Sequence, residues 1–289
     1  MQIFDKTISD VLKDKLLQLE EKFVADVVLY YGVIHPAFIK PFRDFIEDLK
    51  SDGDKKRTRL AIILNTNGGS VETVEKMVEI TRYHYPDEVY FIVPDYAMSA
   101  GTIWCMSGDK IYMDYTSSLG PIDPQVDSGK GYVPALGYLD KVNELLEKAR
   151  NNELTNAEFA ILQSQDLAML RSFEQARELT VSLLKEWLVK YKFKTWTDHN
   201  STNPGTPVSD QEKQQRAEDI ARLLGDNKYW HSHGRFIGIN TLRSLLKLKI
   251  EDCSQDGELR TLIRSYNDLI CEYITRSGLN PFLHSRRYF

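Results

Sequence analysis

The chain has 289 residues, 42% hydrophobic and 27% charged, which excludes disorder as its main state and leaves length for a sizeable core plus an accessory part. Its formal net charge of -5 and isoelectric point near 5.8 provide no general attraction to nucleic acid or to an anionic membrane.

From Ile3 to Phe23, apolar residues such as Ile8, Leu12, Leu16 and Leu19 fall near helical spacing, so the chain opens on an amphipathic helix rather than a basic-then-apolar export signal. Ala25 to Tyr31, rich in β-branched and aromatic residues, reads as a strand, and Phe38 to Leu49 as a helix with Phe42, Phe45 and Ile46 on one face. Leu60 to Leu64 is a short continuous apolar run, the pattern of a strand buried on both faces of a parallel sheet. The alternation continues with a helix over Val71 to Tyr83, a strand over Val89 to Val93, a helix from Ser99 to Ser107 and a strand from Lys110 to Met113. Beyond Gly120 the pattern becomes helical, with Leu136 to Arg150 and Thr155 to Lys192, a polar stretch from Lys194 to Asp210, and a helix to Leu224. A last helix spans Glu258 to Arg276 before an aromatic tail. The reading divides the chain into an N-terminal helix (1–24), an α/β core (25–135), a helical region (136–225) and a C-terminal segment packing on the core (226–289). Cys105, Cys253 and Cys271 lack paired spacing, and no stretch is long and apolar enough for a bilayer, so the expectation is a cytoplasmic protein without a membrane span.

Two loops carry the chemistry. After the strand at Leu60 to Leu64 comes Asn65-Thr66-Asn67-Gly68-Gly69-Ser70, where paired glycines at a strand-to-helix turn let backbone amides approach an anion or oxyanion. The plainer alternative is a tight turn with Ser70 as helix cap. One strand later, Tyr96-Ala97-Met98-Ser99-Ala100-Gly101-Thr102 sets Ser99 among small residues at a helix start, as an accessible nucleophile or as another cap. Both loops follow strands at one edge of a parallel sheet, where open α/β sheets place their ligands.

These two runs, with Ser118-Leu119-Gly120-Pro121-Ile122-Asp123-Pro124-Gln125, resemble the serine dehydrogenase proteinase family of the Clp-protease and signal-peptide-peptidase superfamily. The resemblance covers about Ala25 to Lys148, and more weakly Trp230 to Asp252. It implies a Clp-protease/crotonase-like layered fold, a parallel sheet covered by helices with an α-helical appendage, assembled as a homo-oligomer. It assigns Ser99 as nucleophile and the amides of Gly68, Gly69 and Ala100 as oxyanion hole. The base is where the chain departs from Clp-type peptidases, because Asp123 stands where their histidine does. Lys141 resembles the lysine of Ser-Lys dyads and is the first choice, with Lys148 a weaker substitute; a lysine serves only if burial lowers its pKa. His233 is the other choice, with Asp123 to orient it. A site built from His231, His233 and Cys253 lacks zinc-ligand spacing, so no metal or other cofactor is expected. Asp95 reads as a turn residue, Asp109 as a solvated cap, Asp166 as a mid-helix carboxylate facing water, and Trp187, Tyr191 and Trp196 as core or subunit contacts.

The resulting expectation is a serine peptidase acting on peptide or protein substrates through an acyl-enzyme on Ser99. Its competitors are a proteolytically inactive peptide- or partner-binding member of the fold and a crotonase-like acyl-thioester enzyme, the latter disfavoured by the Ala-Met-Ser-Ala-Gly run.

Overall fold

A computed structural model describes residues 3–51, 57–127, 132–199 and 204–288. Helix α1 (Ile3–Phe23) leads into β1 (Asp26–Tyr31), followed by α2 (Ile39–Lys50), β2 (Arg59–Asn65), α3 (Val71–His84) and β3 (Glu88–Val93). Next come β4 (Tyr96–Ala97), α4 (Ala100–Met106), β5 (Lys110–Met113), β6 (Ser118–Leu119) and the antiparallel pair β7 (Gln125–Asp127) and β8 (Tyr132–Pro134). The helical stretch is α5 (Ala135–Arg150), α6 (Asn156–Gln163), α7 (Leu167–Trp187) with a π-helical turn at Leu188–Lys192, and α8 (Asp210–Leu224). The chain ends with α9 (Asn227–Trp230), β9 (Ile237–Gly238), α10 (Ile239–Ser244), β10 (Glu251–Asp252), α11 (Gly257–Ser277) and β11 (Phe282–Ser285).

The main sheet has the order β10-β5-β3-β2-β1-β11, parallel except for β11 at its edge. Strand β2 explains the two-sided burial. Leu60, Ile62 and Leu64 join the core formed with residues of α2, α3, α4, α7 and α8, whereas Ala61 and Ile63 join the core under α1 and α11. A strand with both faces covered has no polar face to show, which is why its sequence does not alternate. The layered α/β architecture expected from the sequence, a mostly parallel sheet covered by helices, is therefore the one the chain adopts.

Two local features differ from the sequence reading. The stretch expected as one helix from Thr155 to Lys192 is broken between α6 and α7, because Asp166 is not mid-helix: its Oδ1 accepts from the Ala168 (2.8 Å) and Met169 (3.2 Å) amides and caps α7. The aromatic tail contains β11, whose Phe282 and Leu283 pair with Tyr31 and Tyr30 of β1. Just beyond, the buried Arg286 guanidinium donates to Glu20 (2.6 Å) and Asp26 (2.7 Å), and Tyr85 donates to Asp26 at 2.8 Å. That network joins α1, β1 and the tail, and its charges are tolerated in the interior because they are paired and hydrogen-bonded.

Candidate active site

The glycine loop leaves the C-terminal end of β2 and is clamped by the segment following β1. Ile34 N–H donates to Gly68 O and Ser70 N–H donates to Ile34 O, both at 2.9 Å. Ser70 is indeed a cap, its Oγ accepting from Thr73 N–H at 3.0 Å. The two glycines do more than turn the chain. Gly68 has φ +104° and Gly69 φ +148°; a Cβ on Gly68 would lie 2.8 Å from Ser99 Cβ, and one on Gly69 would lie 2.0 Å from Ile34 O. Only glycine allows the loop to press against both neighbours. The amides behave differently from the sequence expectation, since Gly68 N–H donates to Thr66 Oγ1 at 2.9 Å and is already used. Gly69 N–H has no partner among the described residues. Of the two glycines, Gly69 is therefore the one whose amide is uncommitted, while Gly68 provides the close approach.

Ser99 stands at the junction of β4 and α4 with φ +52° and ψ -118°, a conformation that costs a non-glycine residue about 1–3 kcal/mol. The reading of Ser99 as an ordinary helix cap fails, because its side chain makes no capping bond. The strained strand-to-helix turn lifts a half-buried hydroxyl clear of the backbone, the geometry of a nucleophile elbow. Ala100, first residue of α4, has an amide with no intrahelical acceptor to reach. Its nitrogen would lie 3.2 Å from a Gly68 Cβ, so the elbow and the glycine loop are in contact.

A small second sheet gathers the rest. β4 pairs parallel with β6 (Ala97 with Leu119), and β6 pairs antiparallel with β9 (Leu119 with Ile237). Residues just after β4, just after β6 and just before β9 therefore leave the same end of this sheet, and these are Ser99, Asp123 and His233. Thr102 fastens that end: its Oγ1 accepts from Gly120 N–H at 2.9 Å and lies 2.8 Å from Ala97 O. His233 Nδ1 lies 2.9 Å from Asp123 Oδ1, with Asp123 2% and His233 24% exposed at the side chain. Gln125 Nε2 donates to Asp123 Oδ2 at 3.0 Å, so each oxygen of the buried carboxylate has a polar partner. Gln125, Thr66 and Thr102 were not singled out in the sequence, where a side chain that supports another leaves no spacing signal.

Lys141 does not meet the condition a lysine base requires. It lies on α5 with its side chain 58% exposed and ion-paired with Glu144 at 2.9 Å, so neither burial nor contact ties it to Ser99. Lys148 is likewise engaged, with Glu158 at 2.7 Å, and the pairing holds its ammonium above the usual range. The lysine whose pKa burial does lower, to about 8, is Lys192. It lies beside Cys105 and Asp109, towards the end of α4 remote from Ser99. His231 is exposed in a left-handed cap after α9, not on a strand with His233. Asp109 is not solvated: it pairs with Arg82 at 2.8 Å and accepts from Val89 N–H. Asp95 accepts from Asn65 (3.0 Å) and Asn267 (2.7 Å), and Trp187 is in the core. Among the described residues no three His, Cys, Asp or Glu side chains gather as a metal site, and no helix is long and apolar enough to cross a membrane.

The chain is a layered α/β protein with a serine on a strained strand-to-helix elbow packed against a glycine loop. Residues 46–203, more than half of the chain, match the model of the ClpP-like SDH-type serine proteinases, and the chain belongs to that family. Membership supports a peptidase-type hydrolase. Two uncharacterized proteins of Methanocaldococcus jannaschii are each 27% identical, over 60% and 43% of this chain. The matches span 47% and 38% of those relatives, so this chain corresponds to about half of their length or less. Among solved structures, a ClpP1 mutant from Listeria monocytogenes is 13% identical with a TM-score of 0.40, the alignment covering 83% of this chain and 99% of that one.

Proposed function

We propose that the chain is a serine peptidase in which Ser99 is the nucleophile, His233 the base, Asp123 its orienting carboxylate, and the Gly69 and Ala100 amides the oxyanion donors. The observation that carries this reading is the strained Ser99 turn, whose side chain makes no capping bond and which lies directly against the Gly68 loop. Asp123 accepts the Nδ1 proton of His233, which leaves Nε2 as the free ring nitrogen. In this mechanism Ser99 Oγ attacks the peptide carbonyl carbon as its proton passes to Nε2. The carbonyl oxygen becomes an oxyanion bound by the two amides, donors that need no reorganisation as charge develops. Collapse expels the amine, which takes the proton from His233, and a water deprotonated by the same nitrogen releases the acid from the acyl-enzyme. This replaces Lys141 by His233 as base, because an imidazole needs no extreme shift whereas an exposed, paired ammonium would need one.

The test is covalent labelling with a fluorophosphonate, read by intact mass, together with hydrolysis of a denatured protein substrate. Wild type is expected to gain one adduct, Ser99→Ala none, and His233→Gln to label far more slowly. Absence of a Ser99-dependent adduct, with the protein folded, would favour the inactive binding protein.

A further inference from the structure

The segment that carries His233 has little to hold it. From Lys228 to Phe236 only Trp230 is buried, at 3% exposure, and the next buried residue is Ile237 of β9. Between those two anchors the chain makes a turn in which Arg235 N–H donates to Ser232 O at 3.2 Å, with His233 inside it. An imidazole on such a turn is only as well placed as its anchors.

The upstream anchor is attached to an unusual place. Trp230 Nε1 donates to Leu223 O at 2.6 Å, and the next carbonyl of the same helix end, Leu224 O, accepts from Ile122 N–H at 3.0 Å. Ile122 immediately precedes Asp123. Two successive carbonyls at the C-terminal end of α8 thus hold the segment bearing the histidine and the segment bearing its carboxylate, Leu223 O accepting from the Asp226 amide at 3.2 Å as well. Arg235 closes the turn back on the same side chain, its guanidinium 3.4 Å from Trp230 O and 5.8 Å from the indole centroid.

Building on the reading of His233 as base, we propose that Trp230 is a positioning residue: its indole N–H, bound to the end of α8, sets the His233–Asp123 spacing. The hydrogen bond fixes the ring's place along α8, and the same helix end fixes Asp123, so both partners are referred to one rigid element. Removing the N–H while keeping an aromatic ring leaves the turn packed but free to slide. A displacement of about 1 Å in a catalytic group costs up to about 100-fold in rate.

The decisive variant is Trp230→Phe in the full chain, compared with wild type and His233→Gln. The expected result is a fall in kcat of about 10- to 100-fold with KM within about twofold, since the loss is in the reacting geometry. Fluorophosphonate labelling of Ser99 should slow in parallel. A lower melting temperature with unchanged kcat and KM would make Trp230 merely structural and overturn the inference. If His233→Gln is inactive while Trp230→Phe is normal, the positioning role alone falls; if His233→Gln labels as fast as wild type, the base assignment falls and takes this role with it.

Discussion

The turn bearing His233 and the helix bearing Lys141 both lie outside the main sheet, and they differ in what surrounds the side chain each offers as a base. His233 is half-buried, paired with a carboxylate that is itself 2% exposed, between an indole anchored on α8 and a strand of the second sheet. Lys141 is in solvent, neutralised by a glutamate one helical turn away. A surface pair of that kind contributes little and leaves the ammonium free to move. A group intended for proton transfer must instead be held and partly desolvated, and only the first region does that.

The sharpest way to break the comparison is at the nucleophile both regions would serve. Ser99→Ala should lower turnover by about 10⁵- to 10⁶-fold and abolish covalent labelling, by analogy with removal of a triad serine; retained hydrolysis in a steady-state assay would remove Ser99 from the chemistry. Asp123→Asn should cost about 10⁴-fold in kcat by favouring the wrong imidazole tautomer. A kcat for Asp123→Asn within threefold of wild type would dissolve the pairing.

A third histidine sharpens what burial without function looks like. His284 sits in β11 stacked on Tyr266, whose hydroxyl lies 2.7 Å from Nδ1, and burial pushes its pKa down to about 3. The unfolded chain takes up this proton near pH 6.5 while the native state does not, so folded stability is full above that pH and falls as pH drops towards 3. The slope should approach about 1.4 kcal/mol per pH unit from this group, measured by urea unfolding at a series of pH values; an equal slope in His284→Phe would refute the assignment. Gly68→Ala should cost about 1–3 kcal/mol, from a positive φ and a contact with Ser99, and should disturb labelling as well as stability. The smallest effect is expected from Lys141→Ala, with labelling and hydrolysis within about twofold of wild type. A loss there comparable to that of Asp123→Asn would reverse the ordering of the two regions.

Much of the framework was legible because it is written locally. Leu60 to Leu64 declared a strand covered on both faces, and the glycine pair and small-residue elbow declared where the backbone must come close. β11 was hidden, since a four-residue strand that completes a sheet edge takes its identity from its neighbour, β1. Asp166 misled for a related reason: a carboxylate caps or faces water depending on where the helix starts, and helical spacing alone runs through that break.

By itself, the sequence determined the parallel sheet and the two loops at its edge that carry the glycine pair and Ser99, set by side-chain periodicity and by the small residues at the strand-to-helix turns. Tertiary structure decided which amide is free, because Thr66 occupies Gly68 and leaves Gly69 open. It also decided the partner of His233, because Asp123 is 110 residues away along the chain and reaches it only through β6, β9 and the end of α8. Spacing along a chain carries no information about a distance closed by sheet pairing and helix packing, which is why the sequence alone does not show that His233 and Asp123 meet.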